Sequence, residues 1–238
     1  MAQVINTNVG ALFAGAALNK SANMLQTAQA RLSSGLRINS SKDDPTGLVT
    51  ATGYDSQVRG TNMAIRNAND AISVAQTNDG YGAQIIENLQ RLREIAVQLG
   101  GTATGAETTA LVAENARLAG KTVAASAVTV DGNGTTLTGV STVVAAPVGV
   151  TVANIDTNIT AVTSARANFG ADMVTFGSVV SGMQTASVNL SASFSRIMDT
   201  DYAAETSSMT RNNILQQAGT AVLAQANQTP NTVLGLLR

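Results

Sequence analysis

Starting from Ala64, the residues Ala68, Ala71, Ala75, Asn78, Gly82, Ile85, Leu89, Leu92, Ala96 and Leu99 recur at alternating spacings of four and three. A helix carrying such a pattern has one narrow stripe along its length, and that stripe is stable only against a second helix lying lengthwise on it. The second half of the chain repeats the device with Ile155, Ile159, Val162, Arg166, Phe169, Met173, Phe176, Val180, Met183, Ser187, Leu190, Phe194 and Ile197. Only Arg166 and Ser187 interrupt its apolar character. At 1.5 Å per residue the second stripe implies a helix roughly 65 Å long, and the first is nearly as long. The expected fold class is therefore mainly α, a long antiparallel coiled-coil-like rod whose two helices come from distant parts of the sequence. Small residues at the start of the first stripe imply close approach there.

The segment between the stripes is rich in Gly, Thr, Ala and Val. Within it, Val128 to Leu137 reads as a β-hairpin turning at Asp131 to Gly134, and Ser141 to Val152 reads as a second extended run containing Pro147. A β-hairpin or extended region is thus expected at about 123–152. Upstream, Asp44 and Pro45 predict a helix start, because Asp accepts from free amides and Pro suits the first helical position. Arg31 to Asp43 reads as a connector. Residues 1–19 and 212–237 carry no charged side chain but many Asn, Gln and Ser. Such ends are expected to be disordered alone and helical once assembled. A single helix pair is also too narrow to offset the cost of ordering two long helices, so burial by neighbouring subunits is expected to supply the remainder.

Composition removes most chemistry. The 238 residues contain no His, Cys or Trp, 3 % aromatic and 12 % charged residues. The usual metal ligands, the neutral-pH proton shuttle and the thiolate nucleophile are missing together, so no enzyme, metal or cofactor is expected. A net charge of −1 without a basic run leaves nucleic acid and anionic membrane surfaces nothing to hold. No basic segment followed by an apolar run opens the chain, and no stretch approaches the ~20 apolar residues that span a bilayer. Asn115 to Thr122 has the Gly-Lys-Thr ending of a phosphate loop, but Asn115 stands where glycine is needed and no apolar strand precedes it. Adjacent Asp43 and Asp44, and the pair Asp199 and Asp201, read as caps and structural contacts rather than as acid and base, since sequence neighbours seldom converge on one atom.

Read in order, Ile5-Asn-Thr-Asn8, Arg31-Leu-Ser-Ser-Gly-Leu-Arg-Ile-Asn39, Lys42-Asp-Asp44, Arg66-Asn-Ala-Asn-Asp70, Ala75-Gln-Thr77 and Leu89-Gln-Arg-Leu-Arg-Glu-Ile-Ala-Val-Gln98 resemble the bacterial flagellins. The second half agrees through Ser195-Arg-Ile-Met-Asp-Thr-Asp201, Gln216-Gln-Ala218, Ala224-Gln-Ala-Asn227 and Val233-Leu-Gly-Leu-Leu-Arg238. The resemblance implies a structural subunit that polymerises into the extracellular flagellar filament. Residues 1–40 and 198–238 would form the inner tube, with contacts at Ile5, Val9, Leu12, Leu25, Leu32, Leu215, Val222, Leu234 and Leu237. Residues 41–197 would form the rod, with Ile85, Leu89, Leu92 and Leu99 packing on the second stripe. The implied partners are copies of the chain, a secretion chaperone, and the cap and hook-junction proteins. By resemblance, Gln90, Arg91, Ile95, Gln98 and Glu114 match a patch that a vertebrate Toll-like receptor recognises. The alternatives are the hook-filament junction protein, which the Asp43-Asp44-Pro45 sequence also suits, or a secreted coiled-coil adaptor or adhesin.

Overall fold

The computed structural model describes residues 7–123, 128–129, 136–137 and 150–235, with side chains described for 7–123 and 150–228. These residues form the helices α1 (Val9–Ser34), α2 (Pro45–Gln98), α3 (Ala106–Ala119), α4 (Val152–Met198) and α5 (Tyr202–Gly235). Between α3 and α4 lie two strands of two residues, β1 (Val128–Thr129) and β2 (Thr136–Leu137). The chain divides into two compact units, residues 54–192 and residues 1–53 with 193–238.

In the first unit, α2 and α4 are antiparallel, because Asn62 meets Ser187, Asp79 meets Arg166 and Arg93 meets Asp156. The predicted stripe on α2 is the buried one: Ala64, Ala68, Ala71, Ala75, Asn78, Ile85, Leu89, Leu92 and Ala96 are all inaccessible, and so is Gly82. Leu99 departs from the expectation. It is exposed, because α2 ends at Gln98 and the chain turns away through Gly100 and Gly101 at φ 81° and 119°, conformations that side chains disfavour. The closing position of the core is taken instead by Ala103, held by its amide bond to the Val150 carbonyl.

Packing along this helix pair changes character. Toward one end the small residues Ala64, Ala68, Ala71 and Ala75 receive the large Phe169, Phe176 and Met183 of α4. Toward the other, Ile85, Leu89, Leu92 and Ala96 pack with Ile155 and Val162, and α3 closes the cluster with Leu118. Between these clusters Arg166, on the stripe of α4, chelates the Asp79 carboxylate with Nε at 2.7 Å and Nη2 at 3.3 Å. That hydrogen bond holds the guanidinium pKa above its ordinary value. Gly82 makes the room, since a Cβ there would stand 2.9 Å from Cγ of Arg166. Buried Asn78 uses its amide to bind the Val123 backbone, donating to the carbonyl at 2.8 Å and accepting from the amide at 3.1 Å.

The expected β-hairpin region is not borne out. Among the described residues the strand ladder pairs Val128 with Leu137 and Thr129 with Thr136, too short to be a stable sheet, while the predicted turn and the run 141–149 lie outside the described residues.

The second unit holds the antiparallel pair α1 and α5: Asn8 donates to the Ala226 carbonyl at 2.8 Å, and Arg31 lies 3.7 Å from Glu205. Residues 9–19 and 212–235, parts of the ends expected to be disordered alone, are helical in the single subunit. Each helix is capped, Asn8 accepting from the Ala11 amide and Asp201 from Ala203 and Ala204. The expected connector is shorter than read from sequence, because α1 continues through Arg31 to Ser34 and closes on Gly35 at φ 72°. Arg37 then ties the connector to α4, its amide donating to the Met198 carbonyl and its guanidinium to that of Ile197, while Ile38, Ala51 and Met198 form a small core. Asp44 caps α2 through the Gly47 amide at 2.8 Å, as predicted. Asp43 accepts from the amides of Ser40 and Asn39, and these bonds lower its pKa.

Because the bonds favour the Asp43 carboxylate, its contribution is present above the ordinary carboxylate pKa and fades as pH falls below it. Amide exchange at Asn39 and Ser40 is expected to accelerate on acidification relative to a control helix, and Asp43→Asn is expected to flatten that dependence. Replacing Gly82 by Val would drive Arg166 from Asp79 and is expected to destabilise by about 1–3 kcal/mol in urea titrations. Gly177→Ala, where a methyl meets nothing within 4 Å, is expected to stabilise by about 1 kcal/mol.

Candidate assembly surfaces

Helices α1 and α5 meet through small and polar groups. Ala14, Ala28 and Asn212 are buried between them, and Leu18 packs over Gly219, where a Cβ would come within 3.2 Å of its Cδ1. The large apolar side chains are therefore left for other faces. Phe13 is 78 % exposed, Leu12 67 %, Val9 63 % and Ile214 60 %, with Leu215 and Val222 about half exposed. Of the residues expected as inner-tube contacts, only Leu25 and Leu32 are half-buried within the unit. The side chains of Ile5, Leu234 and Leu237 lie outside the described residues. Phe13 and Ile214 were not among the expected contacts, although each adjoins one, Leu12 and Leu215, on the same helix.

In the rod unit the stripe of α4 is buried at every second position only. Ile155, Val162, Phe169, Phe176 and Met183, spaced seven apart, are inaccessible. Ile159, Met173 and Val180 alternate with them and are half-buried, as is Leu190. A heptad stripe has two rows, and α2 alone covers only one of them along most of α4. Beside the uncovered row, Val174 and Val188 are largely exposed. Phe194 and Ile197 belong to the other unit, half-buried against Ile38, Ala51 and Met198.

The region 90–98 presents a mixed surface. Arg91 bridges α2 to α3 through Glu107 at 2.8 Å and also reaches Glu94 at 3.1 Å, and these bonds raise its pKa. Arg93 bridges to Asp156 of α4 at 2.6 Å. Gln90, Arg93, Glu94, Val97 and Gln98 line a shallow groove. Ile95 is not part of that surface: it is buried with Leu92 and Ala96, because α3 and the loop before it cover that side of α2. Glu114 is half-buried and paired with Arg117, whose hydrogen bond lowers its pKa.

Helix α3 has no counterpart in the sequence reading. Its buried face carries Thr108, Asn115 and Leu118, a stripe too polar to be recognised by apolar period, and Asn115 is met by the Asn88 amide at 2.7 Å. The run resembling a phosphate loop is the end of this helix, with Asn115 sealed inside and Lys121 beyond the last turn. That reverses the order phosphate binding needs, in which the loop precedes the helix. Among the described residues, no group of three His, Cys, Asp or Glu could hold a metal ion, and no helix is long and apolar enough to cross a membrane.

Comparison with known proteins accounts for this arrangement. Residues 5–138 match the bacterial flagellin N-terminal helical region, and residues 152–237 match the bacterial flagellin C-terminal helical region. The flagellin of Xenorhabdus nematophila is 34 % identical over 313 aligned positions covering 100 % of both chains. Flagellin 1 of Proteus mirabilis is 32 % identical over 365 positions, again covering 100 % of both. That of Halalkalibacterium halodurans is 35 % identical over 271 positions, covering 99 % of this chain and 100 % of the relative. All three alignments exceed the 238 residues present here, so these relatives carry sequence that this chain lacks. With both helical regions matched in order and full-length relatives on either side of one-third identity, the chain belongs to the bacterial flagellin family, whose members are structural subunits of the flagellar filament.

Proposed function

We propose that the chain polymerises with copies of itself into an extracellular flagellar filament, residues 1–40 and 198–238 lining the inner tube and residues 41–197 forming the rod around it. The observation that carries this reading is the set of exposed apolar side chains on α1 and α5, Val9, Leu12, Phe13, Ile214, Leu215 and Val222, none of which the pairing of the two helices buries. A monomer has no use for such a set, and a second copy would bury it. The surface around it is cheap to dehydrate. Thr27, Thr206 and Thr210 each donate their hydroxyl to the carbonyl four residues back, so these groups already hold partners when a neighbour excludes water.

The role is structural rather than catalytic. Export through the flagellar channel, a secretion chaperone on the C-terminal helix, and contacts with cap and hook-junction proteins complete the reading. Recognition by a Toll-like receptor would rest on exposed Gln90, Arg91 and Gln98, with Ile95 contributing only by supporting the helix that presents them.

Polymerisation induced by a precipitating salt and followed by negative-stain microscopy tests the filament directly. Long filaments are expected from the full chain and none from a chain lacking residues 212–238. Failure of both, even when seeded with filament fragments, would favour the junction-protein or adaptor reading. Phe13→Ser is expected to raise the critical concentration for polymerisation at least tenfold, as burial of a phenylalanine contributes about 1.5–3 kcal/mol. Its urea midpoint as a monomer is expected to stay near wild type, because Phe13 is solvent-exposed there.

A further inference from the structure

The rod unit contains two apolar clusters, one around Ala64–Ala75 with Phe169–Met183 and one around Ile85–Ala96 with Ile155 and Val162. Between them, the stripe positions are Asn78 and Gly82 on α2 and Arg166 on α4. None of these puts an apolar side chain across the interface. Asn78 spends its amide on the Val123 backbone, Gly82 has no side chain, and Arg166 turns to Asp79. Half-buried Ala165 packs against both clusters.

The same layer is where α2 is intrinsically weakest. Asn78-Asp79-Gly80-Tyr81-Gly82 places two glycines and two residues that compete for backbone hydrogen bonds inside a 54-residue helix. Gly82 is required by Arg166, but Gly80 is not required by any neighbour, since a Cβ there meets nothing within 4 Å. Poor helix propensity and a break in the apolar stripe therefore coincide at one level of the rod.

We propose that this level is a hinge, held straight by the Asp79–Arg166 pair and by the Asn78 clamp on Val123, at which the rod's two apolar segments open separately. The hinge rests on the geometry of the rod alone and stands whether or not the chain forms filaments.

Native-state hydrogen exchange on the full-length monomer, read by mass spectrometry of peptides covering 60–98 and 152–190, tests it. Residues 78–82 and 163–168 are expected to exchange faster than both flanking segments, and the flanks to differ from each other. Gly80→Ala is expected to slow exchange at 78–82 by about four- to fivefold, the ratio set by the helix propensities of the two residues. Arg166→Met is expected to speed exchange within the layer while leaving Ile85–Ala96 and Phe169–Met183 near their wild-type rates. A single common rate across the rod, or Gly80→Ala and Arg166→Met shifting layer and flanks by equal factors, would mean one cooperative unit and would overturn the hinge.

Discussion

The structure depends on a mismatch in side-chain size between α2 and α4. Over one cluster α2 offers alanines and α4 answers with Phe169, Phe176 and Met183. Small residues on one helix admit large ones from the other, so two helices build a dense interface without a third layer. The arrangement sets a limit as well. Large residues on α4 bury one row of their stripe against α2 and leave the alternate row, Met173 and Val180, half open. Toward the Ile85–Ala96 end a third helix, α3, thickens the core. A chain with so few aromatic residues cannot close every face by itself, and incomplete burial is the physical reason for assembly.

Charge is used sparingly, and its placement explains how so uncharged a chain keeps its order. Arg91 with Glu107, Arg93 with Asp156 and Arg166 with Asp79 each link two helices. Exposed pairs of this kind contribute at most about 1 kcal/mol apiece, so their value lies more in alignment than in stability. Arg166 is the most constrained of them, because the pair sits on the stripe and depends on Gly82. Aspartates elsewhere serve helix starts: Asp44 and Asp201 satisfy amides that the first turn leaves free.

Much of this was legible because a four-three period survives any tertiary detail. Nine of the named stripe positions on α2 between Ala68 and Ala96 fall where the period puts them, and the caps follow from residue chemistry alone. The period misleads at Leu99, where two glycines bend the chain before the next turn, since counting spacings is blind to backbone conformation. Helix α3 was hidden for the opposite reason: its buried face is Thr108, Asn115 and Leu118, and Asn115 is tolerated inside only because Asn88 meets it. Ile95 belongs to the core rather than to the surface on which Gln90, Arg91 and Gln98 lie. Its place beside Leu92 and Ala96 puts it under α3, a helix that the sequence reading did not contain. At the chain ends the reading expected order only after assembly, because uncharged, amide-rich sequence shows no apolar stripe, whereas α1 and α5 are helical in the single subunit with Val9, Leu12, Leu215 and Val222 still open.

That openness bears on how copies of this chain can pack against one another. An interface of lysines and glutamates must shed tightly held water before it closes, and the desolvation offsets much of the attraction. Here the exposed faces combine Val, Leu and Phe with hydroxyls already bonded to their own helices, so closure removes apolar area from water at little polar cost. A free subunit already pairs α1 with α5 through Asn8 with the Ala226 carbonyl, Arg31 with Glu205 and Leu18 over Gly219, and these pairings need not break for a neighbour to cover the exposed Val9, Leu12, Phe13 and Ile214.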